Sequence, residues 1–159
     1  GWMIDLPIRP RRLRGSPAIR SMVAETHVRV EDLIQPLFVI DGDGPLQAVE
    51  SMPGVFRRNI DDLVQECREL AALGIPGVAI FPSLDASLKN DKATEALNPE
   101  TLVLRAVRAI KAEVSDIIVI TDVALDPYTS HGHDGLIRSG YVLNDDTIKI
   151  LVNQALNQL

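Results

Sequence analysis

An α/β fold built on a parallel sheet is predicted by three observations. Apolar strand-length runs alternate with helical periods three times, the strands lack a regular polar alternation, and the long loops fall at strand carboxyl ends. The first strand is Leu33-Ile-Gln-Pro-Leu-Phe-Val-Ile40. Its near-continuous apolar character implies burial on both faces, and Pro36 is its one defect. Asp41 to Arg58, with Gly42, Gly44, Pro45, Pro53 and Gly54, reads as a loop. Asn59 caps a helix on which Ile60, Leu63, Val64, Cys67, Leu70 and Ala71 keep the helical period, and Gly74 stops it. Cys67 lies on that stripe and is assigned to packing. Gly77-Val-Ala-Ile-Phe-Pro82 is the second strand, followed by a polar loop, Ser83 to Leu97. Asn98, with Pro99 at the first helical position, opens a helix striped by Val103, Val107, Ile110 and Val114. The third strand spans about 116–125. Asn144, Asp145 and Asp146 start a last helix with Ile148, Leu151, Val152, Ala155 and Leu156 inward.

Parallel strands joined by right-handed helical crossovers follow from this order, and the long carboxyl-end loops place function at that end of a barrel or open sheet. Three such units close a domain poorly, and the last helix runs to Leu159 without a capping glycine. The sequence therefore reads as the front part of something larger.

With 159 residues and a net charge of −6, the chain is too acidic for non-specific nucleic-acid binding. A single cysteine excludes an intramolecular disulfide and a cysteine metal cluster. No apolar run approaches the roughly 18 residues of a membrane span, and the start lacks the order of a secretory signal, so a cytoplasmic location is expected. Residues 1–28 read as an extended basic arm. Arg9, Arg11, Arg12, Arg14 and Arg20 fall within twelve residues that hold no acid, and Pro7, Pro10 and Pro17 interrupt helix apart from a short stretch from Pro17 to about Glu25. Ile4, Leu6, Ile8, Leu13 and Ile19 supply anchors that favour docking on an acidic neighbouring subunit, a solvated tail being the plainer alternative and nucleic-acid binding a third. The arm has no aromatic residue for stacking on bases.

Chemistry concentrates in Asp122-Val-Ala-Leu-Asp126-Pro-Tyr-Thr-Ser-His131-Gly-His133-Asp134-Gly135. Continued strand alternation would put Asp122, Ala124 and Asp126 on one face. Two carboxylates at the end of an apolar strand, leading into a Gly/His/Asp loop, point to a reactive site; strand-end solvation with ordinary turn chemistry is the plainer alternative. His131 and His133 sit in one short loop without a fourth ligand, which favours structural or lid roles over metal ligation. Tyr128 and Ser130 fit loop geometry better than nucleophilic catalysis.

Arg-Pro-Arg-Arg-Leu-Arg (9–14), Ile-Gln-Pro-Leu-Phe-Val (34–39), Ser-Met-Pro-Gly-Val (51–55), Gly-Val-Ala-Ile-Phe (77–81) and the run 120–135 together resemble the delta-aminolevulinic acid dehydratase family, the porphobilinogen synthases. The resemblance implies a (β/α)8 TIM barrel, here an arm (1–28) plus roughly the first three βα units (29–159). It also implies homo-oligomers, usually octamers embraced by the arm, and condensation of two 5-aminolevulinate molecules to porphobilinogen in tetrapyrrole (heme) biosynthesis. On that basis Asp122, Asp126 and Asp134 are the candidate catalytic residues, Asp122 beside bound substrate. Zinc-dependent members carry cysteines at the positions of Ala124, Asp126 and Asp134. Carboxylates suit magnesium better than zinc, and Ala124 cannot ligate. The resemblance thus implies a branch with allosteric Mg2+, no zinc at the active site and no resident metal ligands here.

The chemistry requires a lysine amine to activate a ketone as a Schiff base. Lys111 and Lys149 fall on helices, and Lys89 and Lys92 in the solvated loop after the second strand. The family's Schiff-base lysines lie on later strands, so this segment is expected to be inactive alone. Another Schiff-base barrel enzyme such as an aldolase, or a non-catalytic truncated product acting through its arm, are the alternatives.

Overall fold

The computed structural model describes residues 7, 8 and 10–159; Ile4, Leu6 and Arg9 of the expected arm lie outside them. The strands are β1 (Ile34–Ile40), β2 (Gln47–Ala48), β3 (Phe56–Arg58), β4 (Gly77–Ser83), β5 (Ile118–Thr121), β6 (Ile137–Arg138) and β7 (Tyr141–Val142). The helices are α1 (Pro17–Met22), α2 (Ile60–Ala72), α3 (Leu102–Glu113) and α4 (Asn144–Gln158). One sheet has the order β2-β3-β1-β4-β5, and β3, β1, β4 and β5 run parallel. The expected α/β architecture with a parallel sheet is present.

Segment 41–58 is more than a loop, because β2 pairs antiparallel with β3, which joins β1 alongside Phe38 and Val39. Both strands are too short to leave a periodic signal. Pro36 is tolerated because β3 reaches only that far; its pairing is with Ala79 of β4.

Burial on both faces of the strands does not occur. Leu37 and Val39 of β1 and Val78 and Ile80 of β4 pack under Leu63, Cys67 and Leu70 of α2 and Leu102, Ala106 and Ile110 of α3. The opposite face carries Pro36, Ile118 and Ile120, with Ile118 62% exposed at the sheet edge. Phe38 and Phe81, paired across β1 and β4, hold their ring centroids 5.9 Å apart on this open face. The strands are apolar on both sides, yet helices cover only one.

α2 begins where Asn59 Oδ1 accepts from Asp62 N (2.8 Å). It ends at Gly74, whose φ of 85° places it in the left-handed region. Ile75 N donates to Leu70 O (3.0 Å) and Gly74 N to Ala71 O (2.9 Å), the pattern of a Schellman stop. α3 starts a turn later than Pro99 implied. Asn98 Oδ1 accepts from Glu100 N (2.9 Å) and Asn98 O from Thr101 N (3.1 Å), so residues 98–101 form a turn and Thr101 becomes the cap. Its Arg105 reaches back to the end of β1 and grips both oxygens of Asp41 at 3.1 and 2.8 Å. α1 ends at Met22 rather than near Glu25, with no buried residue, and Ile8 and Leu13 are exposed.

α4 turns a face that the apolar period did not indicate. Ile148, Val152 and Leu156 are exposed, whereas Thr147 and Gln154 are buried. Leu151, from the expected stripe, and Ile150 are partly buried against the cluster of Ala93, Ala96, Leu125 and Tyr128, while Gln154 meets the Ala124 carbonyl, so the inward face is mixed.

Two outcomes follow. Burial raises the Cys67 thiol to about 11, so a disulfide reagent at mildly alkaline pH should leave it untouched in the folded chain and label it fully in denaturant. Gly74→Ala should cost about 1 kcal/mol in urea unfolding, since any Cβ is strained at that φ.

Candidate active site

β5 stops at Thr121, and the chain leaves the ladder before the acids arrive. The expected strand to residue 125 is therefore too long. Strand alternation does not set the relation between Asp122 and Asp126, because Asp126 opens a 3-10 turn, Asp126–Tyr128, with Pro127 inside it. Leu125 and Tyr128 are the apolar anchors of this turn. They are buried with Ala93 and Ala96 from the preceding loop and packed by Leu84, Ile150 and Leu151. The carboxylates are left on the outside of a fixed loop.

Hydrogen bonds close that loop. Asp134 Oδ1 accepts from Leu125 N at 2.5 Å, and Thr129 Oγ1 donates to His133 O at 2.9 Å. The loop after β4 is stitched alongside: Asn90 N donates to Tyr128 O (3.2 Å), Ser130 N to Asn90 O (3.3 Å), and Ser130 Oγ to Asp91 Oδ1 (2.5 Å). From α4, Gln154 Nε2 donates to Ala124 O (2.8 Å) and Gln158 Nε2 to Asp122 O (3.0 Å). The hairpin β6–β7 turns through Ser139 (φ 51°) and Gly140 (φ 81°), the two positive φ angles of a type I′ turn. Gly135, just before it, is crowded: a Cβ there would lie 2.9 Å from Val142 Cγ1.

Asp122 and Asp126 line a cavity of about 120 Å3 at the carboxyl end of the sheet, together with Phe81, Pro82, Ala124 and Tyr128. Asp134 does not line this cavity; its Oδ1 is committed to the Leu125 amide. Asp126 feels the other two acids. Burial first, then the charge of Asp134 and more weakly that of Asp122, raises the Asp126 carboxyl above its ordinary 3.8. Burial likewise pushes the Tyr128 phenol up to about 12, so it is a neutral wall of the cavity at physiological pH.

His131 Nδ1 accepts from His133 N (3.2 Å), a bond internal to the loop, and its Nε2 is buried without a partner among the described residues. No three His, Cys, Asp or Glu side chains among the described residues are grouped so that they could hold a metal ion. Lys89 and Lys92 do not line the cavity, and Lys111 Nζ donates to Ile117 O (3.2 Å). Sequence reasoning missed Asn90, Asp91, Gln154 and Gln158. The spacing of Gln154 and Gln158 by four, on the helix after the acidic run, was the one available signal.

A parallel α/β sheet with an acid-lined cavity at its carboxyl end is the arrangement of many barrel and open-sheet enzymes. The family model for delta-aminolevulinic acid dehydratase matches residues 7–159, and the chain belongs to that family. It is 52% identical over 155 residues to the delta-aminolevulinic acid dehydratase of Bradyrhizobium diazoefficiens, covering 98% of this chain and 44% of that protein. It is 40% identical to the Chlamydia pneumoniae enzyme, covering 96% and 46%. The crystal structure of the Toxoplasma gondii enzyme, porphobilinogen synthase with its product porphobilinogen, superposes with a TM-score of 0.90 at 41% identity, covering 96% of this chain and 44% of that one. The chain thus spans less than half the length of these relatives.

The folded state binds the Asp126 proton more tightly than the unfolded state does. The stability this gives is complete below 3.8 and declines as pH rises through the raised value, leaving the ionised carboxylate as a cost at neutral pH. A carbon-detected NMR titration should place the Asp126 midpoint above 3.8. Asp134→Asn, which keeps an oxygen for the Leu125 amide but removes the charge, should lower that midpoint; an unchanged midpoint would show that the two acids are uncoupled.

Proposed function

We propose that the whole protein containing this chain is a porphobilinogen synthase, a hydro-lyase that condenses two 5-aminolevulinate molecules to porphobilinogen with loss of water. The observation that supports this reading most is the acid pair Asp122 and Asp126 on the cavity at the carboxyl end of the sheet, within a segment matched along its length by the family. Asp122, which lines the cavity, accepts a hydrogen bond from a substrate ammonium and takes up its proton as the amine becomes a nucleophile. Asp126, its carboxyl raised by burial and by like charge, is suited to exchange protons with the same centre. Asp134 serves by holding the Leu125 amide and by biasing Asp126. The ketone of one substrate needs a lysine amine, and no lysine lines this cavity. The proposal places the Schiff-base lysines in the remainder of the barrel.

Ala124, Asp126 and Asp134 offer no sulfur, a donor set that suits a hard cation better than zinc. Magnesium is proposed as an allosteric effector bound elsewhere, hard oxygen donors being its preferred partners. The basic arm, with Ile8 and Leu13 exposed, is proposed to dock on a neighbouring copy in a homo-oligomer, an octamer by family resemblance. No helix among the described residues is long and apolar enough to cross a membrane.

The full-length protein given 5-aminolevulinate should form porphobilinogen, measured colorimetrically. A zinc-selective chelator should leave the rate intact, and removal of Mg2+ should lower it. Asp122→Asn should lower kcat by about a hundredfold or more. The isolated 159-residue segment should be inactive; turnover by it would refute the assignment of the lysines to the rest of the barrel.

A further inference from the structure

Gln154 is 1% exposed, on the inward face of α4. Its Nε2 donates to Ala124 O at 2.8 Å, while its Oε1 has no hydrogen-bond partner among the described residues. Gln154 also acts on the Tyr128 phenol as a hydrogen-bond partner that partly offsets its rise, so the side chain serves two neighbours, and the bond to Ala124 O is the one that bears on the acids. Ala124 lies midway between Asp122 and Asp126, beyond the end of β5, where no neighbouring strand supplies a donor. One helical turn on, Gln158 Nε2 donates to Asp122 O at 3.0 Å, and Gln158 Oε1 accepts from Thr121 Oγ1 at 2.9 Å. Two glutamines four residues apart thus take the place of a neighbouring strand along residues 121–124. Rotation of the Ala124 peptide would move both acids relative to the cavity.

We propose that Gln154 is a positioning residue: its amide fixes the Ala124 carbonyl and thereby the relative orientation of Asp122 and Asp126, with Gln158 as its weaker partner at the strand end. The proposal rests on the reading of this cavity as the synthase site, and its test separates the two. In the full-length protein, Gln154→Met keeps the size and removes the donor. It should lower kcat about ten- to a hundredfold with KM within about threefold, since misplaced reacting groups lose rate rather than binding. Gln154→Glu should be similarly impaired at pH 8 and recover as pH falls toward 6, because a protonated carboxyl regains a donor for Ala124 O. If Gln154→Met does not fold, Gln158→Met, at the less buried position, should show the same loss of kcat in smaller measure. Wild-type kcat and pH profile in Gln154→Met, or a Gln154→Glu variant with no recovery at low pH, would overturn the proposal. Should the wild-type protein form no porphobilinogen, the synthase reading fails on its own. Amide exchange at Val123 and Leu125 then decides the positioning role: faster in Gln154→Met supports it, unchanged overturns it.

Discussion

A strand that ends before its neighbour does leaves backbone groups without ladder partners, and each such group costs about 1–3 kcal/mol if it is also denied water. β4 runs on to Ser83, while β5 stops opposite Ile80. The peptides that follow need other partners, and three side chains from two directions provide them: Asp134 of the loop for the Leu125 amide, and Gln154 and Gln158 of α4 for the Ala124 and Asp122 carbonyls. These are the bonds that keep an irregular segment in one conformation. The acids at the cavity inherit their geometry from it.

Electrostatics and packing act together on the same few residues. Leu125 and Tyr128 bury the base of the loop, so Asp126 is partly removed from water while Asp134 is drawn to the adjacent amide. Like charges are thereby held near one another, and the Asp126 proton is retained at higher pH than an isolated aspartate would keep it. A carboxylate accepting a hydrogen bond from the Leu125 amide closes the loop.

Much of this was legible in the residues. The βα order, the Asn59 and Gly74 boundaries of α2, the packing role of Cys67 and the acidic run all follow from local chemistry that tertiary structure had no reason to override. The failures have physical causes. Apolar strands implied two covered faces, but Ile118 and Ile120 sit on a face that nothing in this segment covers. Ile148, Val152 and Leu156 mark a regular stripe on α4, yet the inward face pairs Ile150 and Leu151 with the buried Gln154, which meets a peptide carbonyl. Alternation could not place Asp126 once the strand had ended, and no periodic signal announces that two glutamines stand in for a missing strand.

The most direct measurement is amide hydrogen exchange at Leu125, with and without Asp134→Ala. Closure by the carboxylate requires strong protection in the wild-type protein that is lost in the variant, while the amides of the α2 core keep theirs. Rapid exchange in the wild type, or equal protection in both, would mean that the acidic loop is held by something else.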